Sequence, residues 1–307
     1  MKQIRVIFLS SKDGGVPANR PDGDVLAGLT FELSQGDKIM RTIEMKLLSV
    51  LFFLFALKAG AVEVVAHRGG AYLAPENTLA SMKKGWETGV LSGEIDVFKT
   101  RDGRIVVIHD ETTKRTSGVD LKVEESSSEE LRKLDVGSFK GEEFKGEKIP
   151  FLEEVLEIIP PGRFLFIEFK SDLEILPPVK EILLKSGKLS QVKLISFDFP
   201  TICRAKEMMP EVPAYWLVES EKDPQTGEYF PYDDGIIEKV ISRNLDGVDL
   251  YYKGLNETFI KNAHSKGLKV YVWTVNKADE AYQMKKIGVD GVTTDRPDFI
   301  KQVLELR

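Results

Sequence analysis

The sequence predicts an α/β fold, a (β/α)8 TIM barrel with a small insertion after the second strand segment. From Val62 onward, short apolar strand-like runs alternate with amphipathic stretches, a pattern that requires a parallel sheet covered by helices. Counting the second segment once, although a tight turn splits it, eight strands result. The span 62–307 is close to the roughly 250 residues typical of such a barrel. A doubly wound open sheet is the competing architecture. It is disfavoured because no glycine-rich phosphate-binding turn follows the first strand.

In chain order, the strand candidates begin with "VEVVAH", then "GEIDVFKT", which turns at Asp102-Gly103 into "RIVVIHD". "RFLFIEFK", "QVKLISFD", "PAYWLVES", "LDGVDLYY", "KVYVWTVN" and "DGVTTD" follow. Stretches such as "NTLASMKKGWETG", "PPVKEILLKSG" and "NETFIKNAHSKG" carry apolar residues at helical spacing between them. Gly187, Gly267 and Gly288 stand where helix C-caps belong, just before the next strand. Residues 111–150 break the rhythm with a polar run. There Ser127 and Glu130 form the spacing of a capping box, so a short helix is expected in an insertion over one end of the barrel.

The N-terminal part reads differently. Residues 1–44 are polar and without sustained period, an over-extended or disordered start. "MKLLSVLFFLFALKAGA", Met45 to Ala61, has a basic start, a short apolar run and small residues at alternate positions, the layout of a secretory signal peptide. The run is shorter than the ~20 residues that span a bilayer. The expected compartment is therefore periplasmic or extracellular, with Val62 as the first exported residue; without the signal it would be cytoplasmic.

Composition bounds the partners. A formal net charge of −6 offers no electrostatic footprint for nucleic acid or an anionic membrane. The single cysteine, Cys203, excludes an intrachain disulfide and a thiolate metal cluster. With three histidines in the chain, each position is informative.

Barrel enzymes carry their chemistry at the C-terminal ends of the strands. Collected there are His67-Arg68, Glu94 and Asp96, His109-Asp110, Glu168 and Lys170, Trp273 and Asn276, and Asp295. Glu94 and Asp96, two apart on a strand, share one face. Adjacent buried anions repel unless a positive charge neutralises them, and a hard divalent cation does so with oxygen ligands. Glu168 would be the third ligand. Alternatively, Glu94 faces solvent or pairs with Lys99 or Lys170.

"AHRGGAYLAPENTLASMKKGWETGV" followed by "GEIDVFKTRDGRIVVIHDETTKRTSG" resembles the glycerophosphodiester phosphodiesterase family. Its pattern of H-R-G, P-E-N-T, E-x-D-V-x-x-T-x-D-G, V-x-H-D and R-T appears in order, and continues in "IEFK", "VYVWTVN" and "TDRP". The likeness spans essentially all of 62–307; Leu91-Ser92 before the E-I-D motif is a small departure. It implies a metal-dependent barrel enzyme of glycerol and lipid metabolism that hydrolyses glycerophosphodiesters to sn-glycerol 3-phosphate and an alcohol. Carried over, His67 and His109 are the acid/base pair, assigned here as base and acid. Glu94, Asp96 and Glu168 hold the metal, Mg²⁺ or Ca²⁺. Arg68 and Lys170 contact phosphate, and Trp273 lines the pocket.

Blander roles fall to the rest. Asn77 or Thr78 is read as a helix N-cap, His264 as a surface side chain, Asp110 as the group orienting His109, and Asp295 as a structural closure of the barrel. Two other functions compete: a sphingomyelinase D-like or lysophospholipase D-like enzyme, and a phosphate-binding protein without catalysis. The first would want an apolar lipid-facing loop, and 111–150 offers little beyond Phe139 and Phe144. The second would be expected to lack part of the histidine and carboxylate set.

Overall fold

The computed structural model describes residues 62–306. The polar segment 1–44 and the expected signal peptide at 45–61 lie outside the described residues. Nine strands form one sheet: β1 (Glu63–Ala66), β2 (Ser92–Lys99), β3 (Ile105–Val107), β4 (Phe164–Phe169), β5 (Val192–Ser196), β6 (Ala214–Val218), β7 (Gly247–Tyr251), β8 (Lys269–Trp273) and β9 (Gly291–Thr294). All but β3 are parallel, and β1 pairs with both β9 and β2, which closes the ring. This is the expected eight-stranded barrel. β3 lies outside the ring, antiparallel to β2, at the far side of the turn whose Gly103 has φ 79°.

Alternation along each strand sorts side chains between two cores. Val65, Phe166, Ile195, Tyr215, Leu217 and Tyr271 meet inside the ring. Their strand neighbours Val64, Leu165, Ile167, Leu194, Ala214 and Val270 pack outward against the helices. Those helices are α1 (Leu79–Glu87), then, past two short insertion helices, α4 (Leu152–Glu157), α5 (Leu176–Ser186), α6 (Phe199–Met208), α7 (Gly235–Ser242), α8 (Glu257–Ser265), α9 (Ala278–Ile287) and α10 (Pro297–Leu306). Their ends follow local chemistry. Thr78, Asp198 and Asn256 cap α1, α6 and α8 with side-chain oxygens, and left-handed Gly187 and Gly288 end α5 and α9.

The lower, N-terminal end of the lumen is filled. Lys193 Nζ lies 2.9 Å from both carboxylate oxygens of Glu63, and Tyr271 Oη donates to Glu63 at 2.8 Å. Above them the rings of Phe166, Tyr215 and Tyr271 pack with centroids 5.1–6.0 Å apart. Polar and aromatic layers thus occupy the barrel beneath its upper mouth.

Residues 111–150 form a folded layer with a core of its own. Phe98, Val106 and Ile108 of the hairpin pack with Val123, Leu131, Val136 and Ile149. Its helices are α2 (Lys114–Ser117) and α3 (Ser128–Arg132), and Ser127 with Glu130 closes the capping box at α3. Asp102 does more than make its turn: its carboxylate accepts from Ser128 N at 2.8 Å and Ser128 Oγ at 2.7 Å, which fastens α3 to the hairpin. Across the mouth, Lys140 Nζ donates to Ala71 O at 2.7 Å.

One helical glycine tests the packing. Gly85→Ala within α1 should gain about 1 kcal/mol from helix propensity. However, the added Cβ would sit 2.3 Å from Gly69 O, in the turn that carries His67 and Arg68. Sterics should win, so the melting temperature falls by several degrees and activity drops with it. A rise in melting temperature would refute this account of the contact.

Candidate active site

β1 stops at Ala66 and the chain turns at once through His67–Gly69. Arg68 takes left-handed backbone with φ 50°, which costs a residue bearing a Cβ on the order of 1 kcal/mol. In return its N–H points at Glu94 Oε2, 2.8 Å away. Gly69, at φ 83°, has no room for a Cβ, which would meet Ser81 Oγ at 2.5 Å.

The expected clustering of carboxylates is present in the geometry. Glu94 and Asp96 point from β2 into the lumen, and the parallel register sets Asp96 beside Glu168 of β4. All three are buried, and one oxygen from each lies within 4.8 Å of the others. Lys170 Nζ reaches Glu168 Oε1 at 2.5 Å and Asp96 Oδ1 at 3.2 Å. Arg68 Nε lies 3.4 Å from Asp96 Oδ2. Lys99, the alternative partner of Glu94, pairs with Glu174 instead.

Burial pushes the Asp96 carboxyl up, but the Lys170 ammonium and Arg68 guanidinium outweigh it and hold it at about 2. Glu168 goes the other way. Burial and the Asp96 charge raise it to about 8, despite the pull of Lys170. Glu94 is raised well above the usual carboxylate range by burial and by the anions of Asp96 and Glu168. Its Oε1 is buried with no hydrogen-bond partner among the described residues. Three hard oxygen donors, more anionic than their two cations, with one oxygen unpartnered, fit a divalent metal ion.

Each mouth histidine is anchored by a carboxylate. His67 Nδ1 lies 2.6 Å from Asp295 Oδ1, and Asp295 is in turn held by Asn276 Nδ2 at 2.6 Å. Asp295 is thus more than a closure of the barrel: it fixes the His67 ring. His109 Nδ1 lies 2.7 Å from Asp110 Oδ1. With Nδ1 committed in both, Nε2 is the nitrogen left for chemistry. Burial, with help from Lys170 and Arg68, lowers the His109 pKa against the opposing pull of Asp96.

His67, Arg68, Glu94, His109, Glu168, Lys170 and Trp273 line one cavity of about 270 Å³ at the mouth. Asp96, with a side chain 1% exposed, is contacted by two of these lining residues, Arg68 and Lys170. The eight residues to which the family resemblance gives site roles are therefore brought together. Two larger grooves on the outside of the barrel carry none of these groups. His264 is away from the mouth and pairs with Asp290 before β9.

Sequence reasoning missed the supports. Asn77 is not the cap; Thr78 is. Asn77, at φ 57°, donates Nδ2 to Asp96 Oδ2 at 2.8 Å and accepts from Asp96 N at 3.1 Å. Glu76 bonds Arg68 at 2.7 Å and takes both prongs of Arg115 at 2.7 and 2.8 Å; Arg115 Nε also holds Asp110 at 2.7 Å. Glu76 stood in "PENT" and Arg115 in "KRTSG", but only the folded loop shows that they meet.

Comparisons with known proteins place the chain in a family. The family model of the glycerophosphoryl diester phosphodiesterases matches residues 67–299. A glycerophosphodiester phosphodiesterase of Caldanaerobacter subterraneus is 35% identical over 245 residues, 77% of this chain and 95% of that protein. One from Bacillus subtilis is 28% identical over 265 residues, 80% of this chain and 88% of that one. Among solved structures, an Oleispira antarctica phosphodiesterase in complex with the product sn-glycerol-3-phosphate aligns with a TM-score of 0.73 at 27% identity, covering 80% of this chain and 97% of that one. The chain therefore belongs to the glycerophosphoryl diester phosphodiesterase family, and with it to the phosphoric diester hydrolases.

Proposed function

We propose that the protein hydrolyses glycerophosphodiesters to sn-glycerol 3-phosphate and an alcohol, with Mg²⁺ or Ca²⁺ held by Glu94, Asp96 and Glu168. The observation that carries this reading is the pair of carboxylate-anchored histidines on the rim of the cavity whose floor is the acidic cluster. The product bound to the Oleispira relative is consistent with it. When bound, the cation would offset the negative charge that grows on the phosphoryl oxygens. Arg68 offers its planar guanidinium to phosphate and Lys170 a compact charge, both held in a partly desolvated pocket. His67 Nε2 takes a proton from the incoming nucleophile, and Asp295 stabilises the imidazolium that results. His109 Nε2 delivers a proton to the departing alkoxide. Product analysis on a panel of glycerophosphodiesters tests the whole reading, and absence of sn-glycerol 3-phosphate with every substrate and metal would end it.

The metal assignment has a readout apart from turnover. Glu94→Gln removes one of three crowded carboxylates, so the metal-free variant should melt higher than the wild type. Mg²⁺ or Ca²⁺ should raise the melting temperature of the wild type and leave that of the variant nearly unmoved. Equal shifts in both, or full wild-type activity after exhaustive EDTA treatment, would remove the metal from these residues.

The histidine roles separate by leaving group. His109→Ala should slow release of an ordinary alcohol by about 10²–10⁴-fold. With 4-nitrophenol as leaving group, which departs without a proton, the loss should shrink to about tenfold or less. His67→Ala should slow both. If the alanine at His67 is the one rescued by nitrophenol, the two roles are reversed.

Met45–Ala61 is read as an export signal on the strength of its layout alone. N-terminal sequencing of the protein recovered from outside the cytoplasm should then give Val62, and peptides from residues 1–44 in that material would refute the assignment.

A further inference from the structure

The cavity has a second wall that the reaction above does not use. In the closed ring of eight, β7 stands four strands from β2, directly across the lumen from Glu94 and Asp96. From β7, Asp249 faces the cavity and is 2% exposed. Its Oδ1 is fully buried with no hydrogen-bond partner, and no side chain among the described residues bonds its carboxylate. Beside it, at the end of β6, Glu219 also lines the cavity, exposed and without a hydrogen-bond partner among the described residues. Two rings, Trp273 and Phe197, line the same cavity edge to face with centroids 5.4 Å apart. Trp273 is fixed by its Nε1–H, which donates to Asp249 O at 3.2 Å.

An unpartnered buried carboxylate lacks both a donor and a counter-charge, and neutral hydroxyls supply only the first. An ammonium group supplies both, and aromatic faces beside it add cation–π attraction. Burial alone raises the Asp249 carboxyl to about 8, and no charge among the described residues offsets it. The polarity of the cavity then matches a zwitterion, with Arg68 and Lys170 at the phosphate end and Asp249 with Glu219 at the other. Resting on the phosphodiesterase reading above, we propose that Asp249, Glu219, Trp273 and Phe197 form a subsite for a primary ammonium on the alcohol half of the substrate, so that ethanolamine-type glycerophosphodiesters are preferred.

The test compares kcat/KM for glycerophosphoethanolamine, glycerophosphocholine and glycerophosphoglycerol, at a pH where the Asp249 carboxyl is ionised. The wild type should prefer ethanolamine over glycerol as the alcohol by about tenfold or more, the size of one charge-assisted hydrogen bond. Choline, a cation with no N–H, should fall between them. Asp249→Asn should lose about tenfold on the ethanolamine substrate and little on the glycerol one, which would collapse the preference. Glu219→Gln, at an exposed position, should reduce it by a smaller factor without risk to folding. Ethanolamine alone should inhibit the wild type competitively, and less so Asp249→Asn. Equal wild-type rates on all three alcohols would overturn the subsite. So would an Asp249→Asn loss uniform across substrates, which would place Asp249 on the shared glycerol half. No turnover of any substrate would instead strike the phosphodiesterase reading itself, and ethanolamine binding by calorimetry would then decide the subsite alone.

Discussion

Asp96 is an ionised carboxylate with almost no exposed surface, and containing that charge organises the mouth of the barrel. Arg68, Lys170 and Asn77 each address one of its oxygens. Each of these groups is itself constrained. Arg68 is held by Glu76, Glu76 by Arg115, and Arg115 reaches on to Asp110, the anchor of His109. Charges alternate in sign along this path, so every buried member is paired. Loss of one partner would strand a buried charge, which typically costs several kcal/mol, far more than any surface ion pair contributes. The left-handed backbone at Arg68 and Asn77 belongs to the same economy of positions: both conformations are tolerated because the groups they aim are needed at Asp96.

The insertion enters the site through this network rather than by contact with the acidic cluster. Arg115 sits on α2 and binds one carboxylate from the β1–α1 loop and one from the loop after β3. A single guanidinium thereby couples Arg68 to His109 on the other rim. Asp102 and Ser128 fasten the same layer from below. The layer is a brace as much as a cover.

The barrel itself was legible because its signals are local. Strand periodicity, capping residues and glycines before strands each speak about a few neighbouring positions, and they agreed. Glu94 and Asp96 were legible for the same reason, since i and i+2 on a strand share a face by geometry. Glu168 was legible only as a residue at the C-terminal end of a barrel strand, because its place beside Asp96 is a matter of register between strands some 70 residues apart. The roles of Asp295, Glu76 and Arg115 depend on three loops meeting in space, and nothing in their local sequence reports that meeting. Asp249 is a milder case. Strand alternation aims it inward together with Gly247 and Tyr251, but alternation cannot say that no partner waits there.

The filled lower lumen has a consequence for traffic. Glu63, Lys193 and the rings of Phe166, Tyr215 and Tyr271 leave no passage toward the N-terminal end of the strands. Whatever enters the mouth must leave by it. The barrel is therefore a cup rather than a channel, filled and emptied from the top.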